Sequence, residues 1–133
     1  MSEQVNNSEN RKKNILVVED DDINLSVITA FLSKEYNIDS ATNGLEAIEK
    51  ATSKKYDAIL MDINLGSGIT GIEVTQKLRN TPEYANTPII AITAFAMDGD
   101  KEEFLAGGCS DYISKPFTRQ EILSLMKRTF EKT

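Results

Sequence analysis

Four short strand-like runs recur along the chain, and each stops at a polar residue: Ile15-Leu16-Val17-Val18 at Glu19-Asp20, Asp57 to Met61 at Asp62, Pro88 to Ile92 at Thr93, and Asp111 to Ser114 at Lys115. The first three are almost wholly apolar, without the alternation of a strand that has one wet face, so both faces of the sheet must be covered. That coverage is what crossover helices supply, and segments of helical period do separate the runs.

Asn24, Val27, Ile28, Phe31 and Leu32 share one helical face behind the first run. A weaker strand spans Asn37 to Ala41. Asn43-Gly44-Leu45-Glu46 reads as a capped helix start continued by Ala47, Ile48 and Ala51. Asn64 to Thr70, with Gly66 and Gly68, reads as a loop, and Gly71 to Arg79 as a helix stopped before Pro82. Met97 to Ala106 forms a short helix closed by Gly107-Gly108. Thr118 and Glu121 make a capping box for a last helix with Ile122, Leu125, Met126, Thr129 and Phe130 inward. Five strands thus alternate with five helices, an α/β doubly wound design.

The 133 residues suit one domain, with 1–13 a flexible polar tail and 14–133 the folded unit. A net charge of −6 disfavours direct nucleic-acid binding and anionic lipid surfaces. No apolar run approaches the ~20 residues of a membrane helix, and the first 13 residues lack a signal-peptide core. A single cysteine, Cys109, offers no disulfide framework and reads as a small buried or turn residue; a cytoplasmic setting follows. Histidine is absent, which removes Ser/His and Cys/His triads, histidine zinc sites and a phosphohistidine made by this chain. Chemistry is left to carboxylates, Lys, hydroxyls and a bound ion.

In an open parallel sheet, ligands bind beyond the carboxyl ends of the strands where strand order reverses. With the order 2-1-3-4-5, the ends of the first and third strands are neighbours there, so Glu19, Asp20 and Asp62 crowd together, with Thr93 and Lys115 on the same edge. Like charges ~4 Å apart repel by about 4 kcal/mol at an effective dielectric near 20, so this crowding calls for a cation or a raised pKa. Oxygen ligands alone suit Mg²⁺ or Mn²⁺, and Mg²⁺ keeps room for a phosphoryl oxygen. Lys115 and Thr93 fit as clamp and hydroxyl donor, and Asp62 as the carboxylate nucleophile of an acyl phosphate.

The runs ILVVEDDDIN, DAILMDIN, TPIIAITAFAMDGD and GGCSDYISKPF resemble, in order and spacing, the receiver domain of response regulators in two-component signalling, from Asn14 to about Phe130. The resemblance implies a flavodoxin-like fold with Asp62 as the phosphorylated residue. It implies Mg²⁺ on Asp20, Asp62 and the Asn64 carbonyl, with Glu19 assisting through water. Thr93 becomes the switch hydroxyl, Lys115 the phosphoryl contact, Tyr112 the switch aromatic, and Lys115-Pro116 a cis bond. A histidine kinase, hybrid kinase or histidine phosphotransfer protein is the implied donor, in a multistep phosphorelay, and a downstream protein the target. Such a domain catalyses only its own phosphorylation and dephosphorylation. Because the chain stops three residues past Phe130, output is expected through protein docking and not through an attached domain. Tyr112 is equally readable as packing, and Asp21 and Asp22 as a solvated helix start at the positive end of its dipole.

Two other classes fit the residues less well. A phosphatase of the haloacid dehalogenase type needs a second acid two positions after the nucleophile, where this chain has Asn64; a receiver-like scaffold would not need the intact five-residue set. Two departures from the receiver pattern stand out. Leu65 to Gly71 lacks the usual proline and is one residue longer, which predicts a more mobile loop, and Phe95 replaces a polar side chain that some receivers use to orient the hydrolytic water. A comparatively long-lived acyl phosphate is expected, with Phe95→Glu speeding its loss; time-resolved mass spectrometry of the phosphorylated protein reads this directly, and an unchanged decay rate removes the role assigned to Phe95.

Overall fold

The computed structural model describes residues 11–66, 68–94 and 100–131. Its strands are β1 (Asn14–Val18), β2 (Asn37–Ala41), β3 (Ala58–Asp62), β4 (Ile89–Thr93) and β5 (Asp111–Ser114). They pair in parallel in the order β2-β1-β3-β4-β5, as expected. Between and after them lie α1 (Asp22–Leu32), α2 (Gly44–Ser53), α3 (Gly71–Arg79), α4 (Asp100–Ala106) and α5 (Arg119–Glu131), with a 3₁₀ turn at Pro82–Tyr84. Most of the expected tail, and Phe95, lie outside the described residues.

Alternation of side chains along each strand feeds two apolar layers. Leu16, Val18, Ile59, Met61 and Ile89 point to the side that α2 and α3 cover with Ala47, Ala51, Val74 and Leu78. Ile15, Val17, Leu60, Ile90 and Ile92 point to the other, against Ile28 and Leu32 of α1 and Ile122, Leu125 and Met126 of α5. Fully burying each such aliphatic side chain is worth about 1.5–3 kcal/mol, which is why three of the strands carry almost no polar residues.

The caps read from sequence are present. Asn43 accepts from the Glu46 N–H at 2.9 Å, while the Thr118 hydroxyl accepts the Glu121 N–H at 3.0 Å and the Glu121 carboxylate accepts the Thr118 N–H at 2.8 Å. A second capping box joins Thr70 and Glu73 at the start of α3. Strand boundaries differ from expectation: β1 starts one residue earlier, and β3 and β4 each start and end one residue later, their ends set by the pairing of Asp62 with Ile92 and of Thr93 with Ser114 in the ladder. The inner face of α1 is also rotated. Leu25, Ile28, Phe31 and Leu32 face the core, while Val27 is 42% exposed beside Ile23 at 74%.

β2 is an edge strand, and charged groups line it, which discourages strand addition. Lys50 donates to the Ser40 carbonyl, and Asp39 accepts from Lys54 at 3.0 Å and from the Tyr56 hydroxyl at 2.7 Å. Behind it the Tyr84 hydroxyl donates toward the Ala51 and Lys54 carbonyls and accepts the Tyr56 N–H. At the amino-terminal edge of the sheet the Arg79 guanidinium donates to the carbonyls of Tyr84 and Thr87 at 2.6 Å, to Gly108 at 2.8 Å, and to the Ser110 hydroxyl at 3.1 Å. These bonds tie together the turns opposite the site.

The hydrogen bonds from Tyr56 and Lys54 hold the Asp39 carboxyl below its ordinary value. A carboxylate with a depressed folded-state pKa contributes stability above its unfolded pKa and loses it as pH falls through the folded one. Tyr56→Phe is therefore expected to cost about 1 kcal/mol at pH 7 and progressively less below pH ~4, a difference measurable by urea unfolding at the two pH values.

Candidate functional site

The parallel register delivers the polar strand tips to one edge. Glu19 follows β1, its N–H held by the Ala41 carbonyl at 3.0 Å; Asp62 ends β3; Thr93 ends β4; and Lys115 follows β5, its N–H held by the Thr93 carbonyl at 2.7 Å. Ladder bonds thus continue one residue beyond two of the strands and fix where those side chains start.

Carboxylate oxygens of Glu19, Asp20 and Asp62 all lie within 4.8 Å of one another. Glu19 and Asp62 are buried, at 1% and 4% exposure, and Asp20 is exposed. The Lys115 ammonium reaches between the buried pair, 3.1 Å from Glu19 Oε1 and 3.5 Å from Asp62 Oδ2. Three carboxylates against this ammonium leave two negative charges, the complement of one divalent cation. Burial, then the shared hydrogen bond with Asp62, pushes the Glu19 carboxyl above the ordinary carboxylate range, although the Asp21 N–H and Lys115 oppose this. Burial pushes the Lys115 ammonium down, but the hydrogen bond to Glu19 and the charge of Asp62 outweigh it, so its pKa is raised and the cation is secured.

These groups open into a cleft of about 350 Å³ that Asn24, Asn64, Gly66, Thr93 and Ala94 also line. The Asp62 Oδ1 accepts the Asn64 N–H at 3.0 Å, leaving Oδ2 toward Lys115 and the cleft. The Lys115-Pro116 bond is cis. Glu19, Asp20, Asp62, Asn64, Thr93 and Lys115 are thus brought together. Tyr112 stands apart on β5, half-buried, its ring 6.3 Å from that of Phe104 in a small cluster with Ala91 and Cys109.

Sequence reasoning missed three contributors. Asp21 caps α1 by accepting the Asn24 N–H at 2.8 Å, as its helix-start reading had it, but its own N–H also donates to Glu19 Oε2 at 3.2 Å. Gly71 packs so tightly under β3 that a Cβ there would run into the Asp62 carbonyl. Gly66 approaches Asp20. Two glycine signals were visible in the loop, but nothing local told which would meet a carboxylate.

Residues 15–127 match the model of the response regulator receiver domain. The chain belongs to the receiver family. Among curated proteins, this receiver is 39% identical over 116 residues to the polar-differentiation response regulator DivK of Brucella anthropi, covering 86% of this chain and 94% of that one. Among solved structures it is similar to the chemotaxis protein CheY4 of Vibrio cholerae, with a TM-score of 0.84 and 28% identity over 89% of this chain and 98% of that one. It is also similar to the receiver domain of a Pseudomonas aeruginosa sensor histidine kinase, solved with a magnesium ion coordinated in the active site cleft; there the TM-score is 0.82 and the identity 38% over 89% and 97% of the two chains. This chain is accordingly a signalling domain of two-component systems, and none of its described helices is long and apolar enough to cross a membrane.

Proposed function

We propose that Asp62 is the phosphoacceptor of this receiver, taking a phosphoryl group from a phosphohistidine on a histidine kinase, hybrid kinase or histidine phosphotransfer protein. The observation that carries the reading is the convergence of Asp62 with two further carboxylates and the Lys115 ammonium at the carboxyl edge of the sheet. Asp62 Oδ2 attacks phosphorus, the O–P bond forms as the P–N bond breaks, and the electron pair returns to the imidazole nitrogen. Lys115 moves from carboxylate partner to phosphoryl partner without leaving the cleft, and Thr93 offers its hydroxyl to a second phosphoryl oxygen.

The donor set is all oxygen and carries the charge deficit of one divalent ion, so Mg²⁺ fits it, with Mn²⁺ an acceptable substitute. Asp20, Asp62 and the Asn64 carbonyl would hold it, Glu19 assisting through water, and it would neutralise charge on the transferring group. The donor's phosphohistidine needs a surface beside the cleft. Exposed Val27 on α1, with Ile28, Pro116 and Phe117, lines a groove of about 160 Å³ that reaches Lys115, an apolar seat for a helix that presents the histidine. Phosphorylation then changes the docking of a downstream protein, in the cytoplasm, through Thr93 and Tyr112, with residues 14–133 acting as one unit.

Intact-mass analysis after incubation with a small acyl phosphate and Mg²⁺ tests this. One phosphoryl increment is expected in the wild type, and none for Asp62→Asn or when Mg²⁺ is removed by a chelator. No increment with any donor would instead favour the unphosphorylated scaffold, and steady turnover of a phosphate ester the phosphatase.

A further inference from the structure

The loop between β3 and α3 approaches the exposed member of the acidic cluster, Asp20, at Gly66. Its backbone has φ +81°, in the left-handed region, and a Cβ built on it would stand 3.0 Å from Asp20 Oδ2. That separation is tighter than side chains normally tolerate, so one partner would have to give way. The loop is the stiffer of the two. Leu65, immediately before, is 4% exposed and sits in the α2/α3 apolar layer; Ile69 packs against the same layer; and the Gly66 N–H donates to Asn64 Oδ1 at 3.3 Å. Asp20 by contrast is exposed, and its carboxylate is the far end of a side chain that can change rotamer. A side chain at position 66 therefore displaces the Asp20 carboxylate and leaves the loop where it is.

We propose that Gly66 is a positioning residue for the divalent-ion site: its bare α-carbon lets an anchored loop wall the cleft while Asp20 keeps the orientation that converges on Glu19 and Asp62. The inference rests on the metal reading given above.

The same loop contains its own control. Gly68 has φ +85°, nearly the same φ, but a Cβ there meets nothing within 4 Å among the described residues. Gly66→Ala and Gly68→Ala thus carry the same left-handed strain and differ in whether a methyl meets Asp20. Titration calorimetry with MgCl₂, paired with thermal melts in chelator, separates the two effects. The metal-free melts are expected to shift alike. The Mg²⁺ dissociation constant is expected to rise about tenfold in Gly66→Ala, the scale on which groups that orient metal ligands act, and to stay at the wild-type value in Gly68→Ala. Should Gly66→Ala not melt cooperatively, Gly66→Asn tolerates the left-handed backbone, carries the same Cβ, and is expected to weaken Mg²⁺ in the same way. Equal dissociation constants in the two alanine variants would overturn the role of Gly66 and leave the metal site standing. A wild type that takes up no Mg²⁺ would instead remove the metal reading and the inference with it.

Discussion

Three carboxylates held within 4.8 Å against one ammonium are the constraint around which this molecule is arranged. Each close pair repels by about 4 kcal/mol at an effective dielectric near 20, and nothing local in Glu19, Asp20 or Asp62 would choose that proximity. The sheet imposes it. Parallel pairing of β1 with β3 brings two acidic tips side by side, and the buried aliphatic layers on both faces outweigh the repulsion. Lys115, delivered by β5 from across the sheet, offsets part of the charge. The remainder is stored as a demand for a cation or for a new anion-binding arrangement around Lys115.

That demand links fold to signalling. A phosphoryl group on Asp62 would offer Lys115 a partner in place of those that Glu19 and Asp62 now provide, and would bring oxygens within the cleft that Thr93 lines, so the contacts of the two states differ at the Lys115 ammonium. Moving a two-state equilibrium from 1:99 to 99:1 takes about 5.5 kcal/mol of such difference, which a few charge-assisted hydrogen bonds in a partly buried cleft can approach. The far edge of the sheet has the opposite character. Arg79, Tyr84 and Tyr56 spend their donors on carbonyls and on Asp39, and this closed network leaves change to the site edge.

The fold was legible because its signals are local. Unbroken runs such as Ile15 to Val18 announce a strand covered twice, and Thr118-x-x-Glu121 announces a helix start. The five charged and hydroxyl residues of the cleft were legible because each ends a strand or follows one within two residues, so topology alone places them together. What the sequence concealed is what depends on distance across the fold. The orientation of α1 turned Val27 outward because Leu25 and Phe31 won the inner face. The bond from Tyr56 to Asp39 joins positions 17 apart, and the approach of Gly66 to Asp20 joins two loops. Leu65 and Ile69 pack into the apolar layer, a property of their burial and not of their neighbours in sequence.

The central claim is that the cleft at the carboxyl edge binds a phosphoryl group on Asp62 with Lys115 and Thr93 around it. A crystal structure grown with Mg²⁺ and beryllofluoride, a stable mimic of the acyl phosphate, tests it most directly. The account predicts the beryllium joined to an Asp62 carboxylate oxygen, with fluorines facing the Lys115 ammonium and the Thr93 hydroxyl. Beryllofluoride on another carboxylate, or a cleft that stays free of it at saturating concentration, would contradict the account.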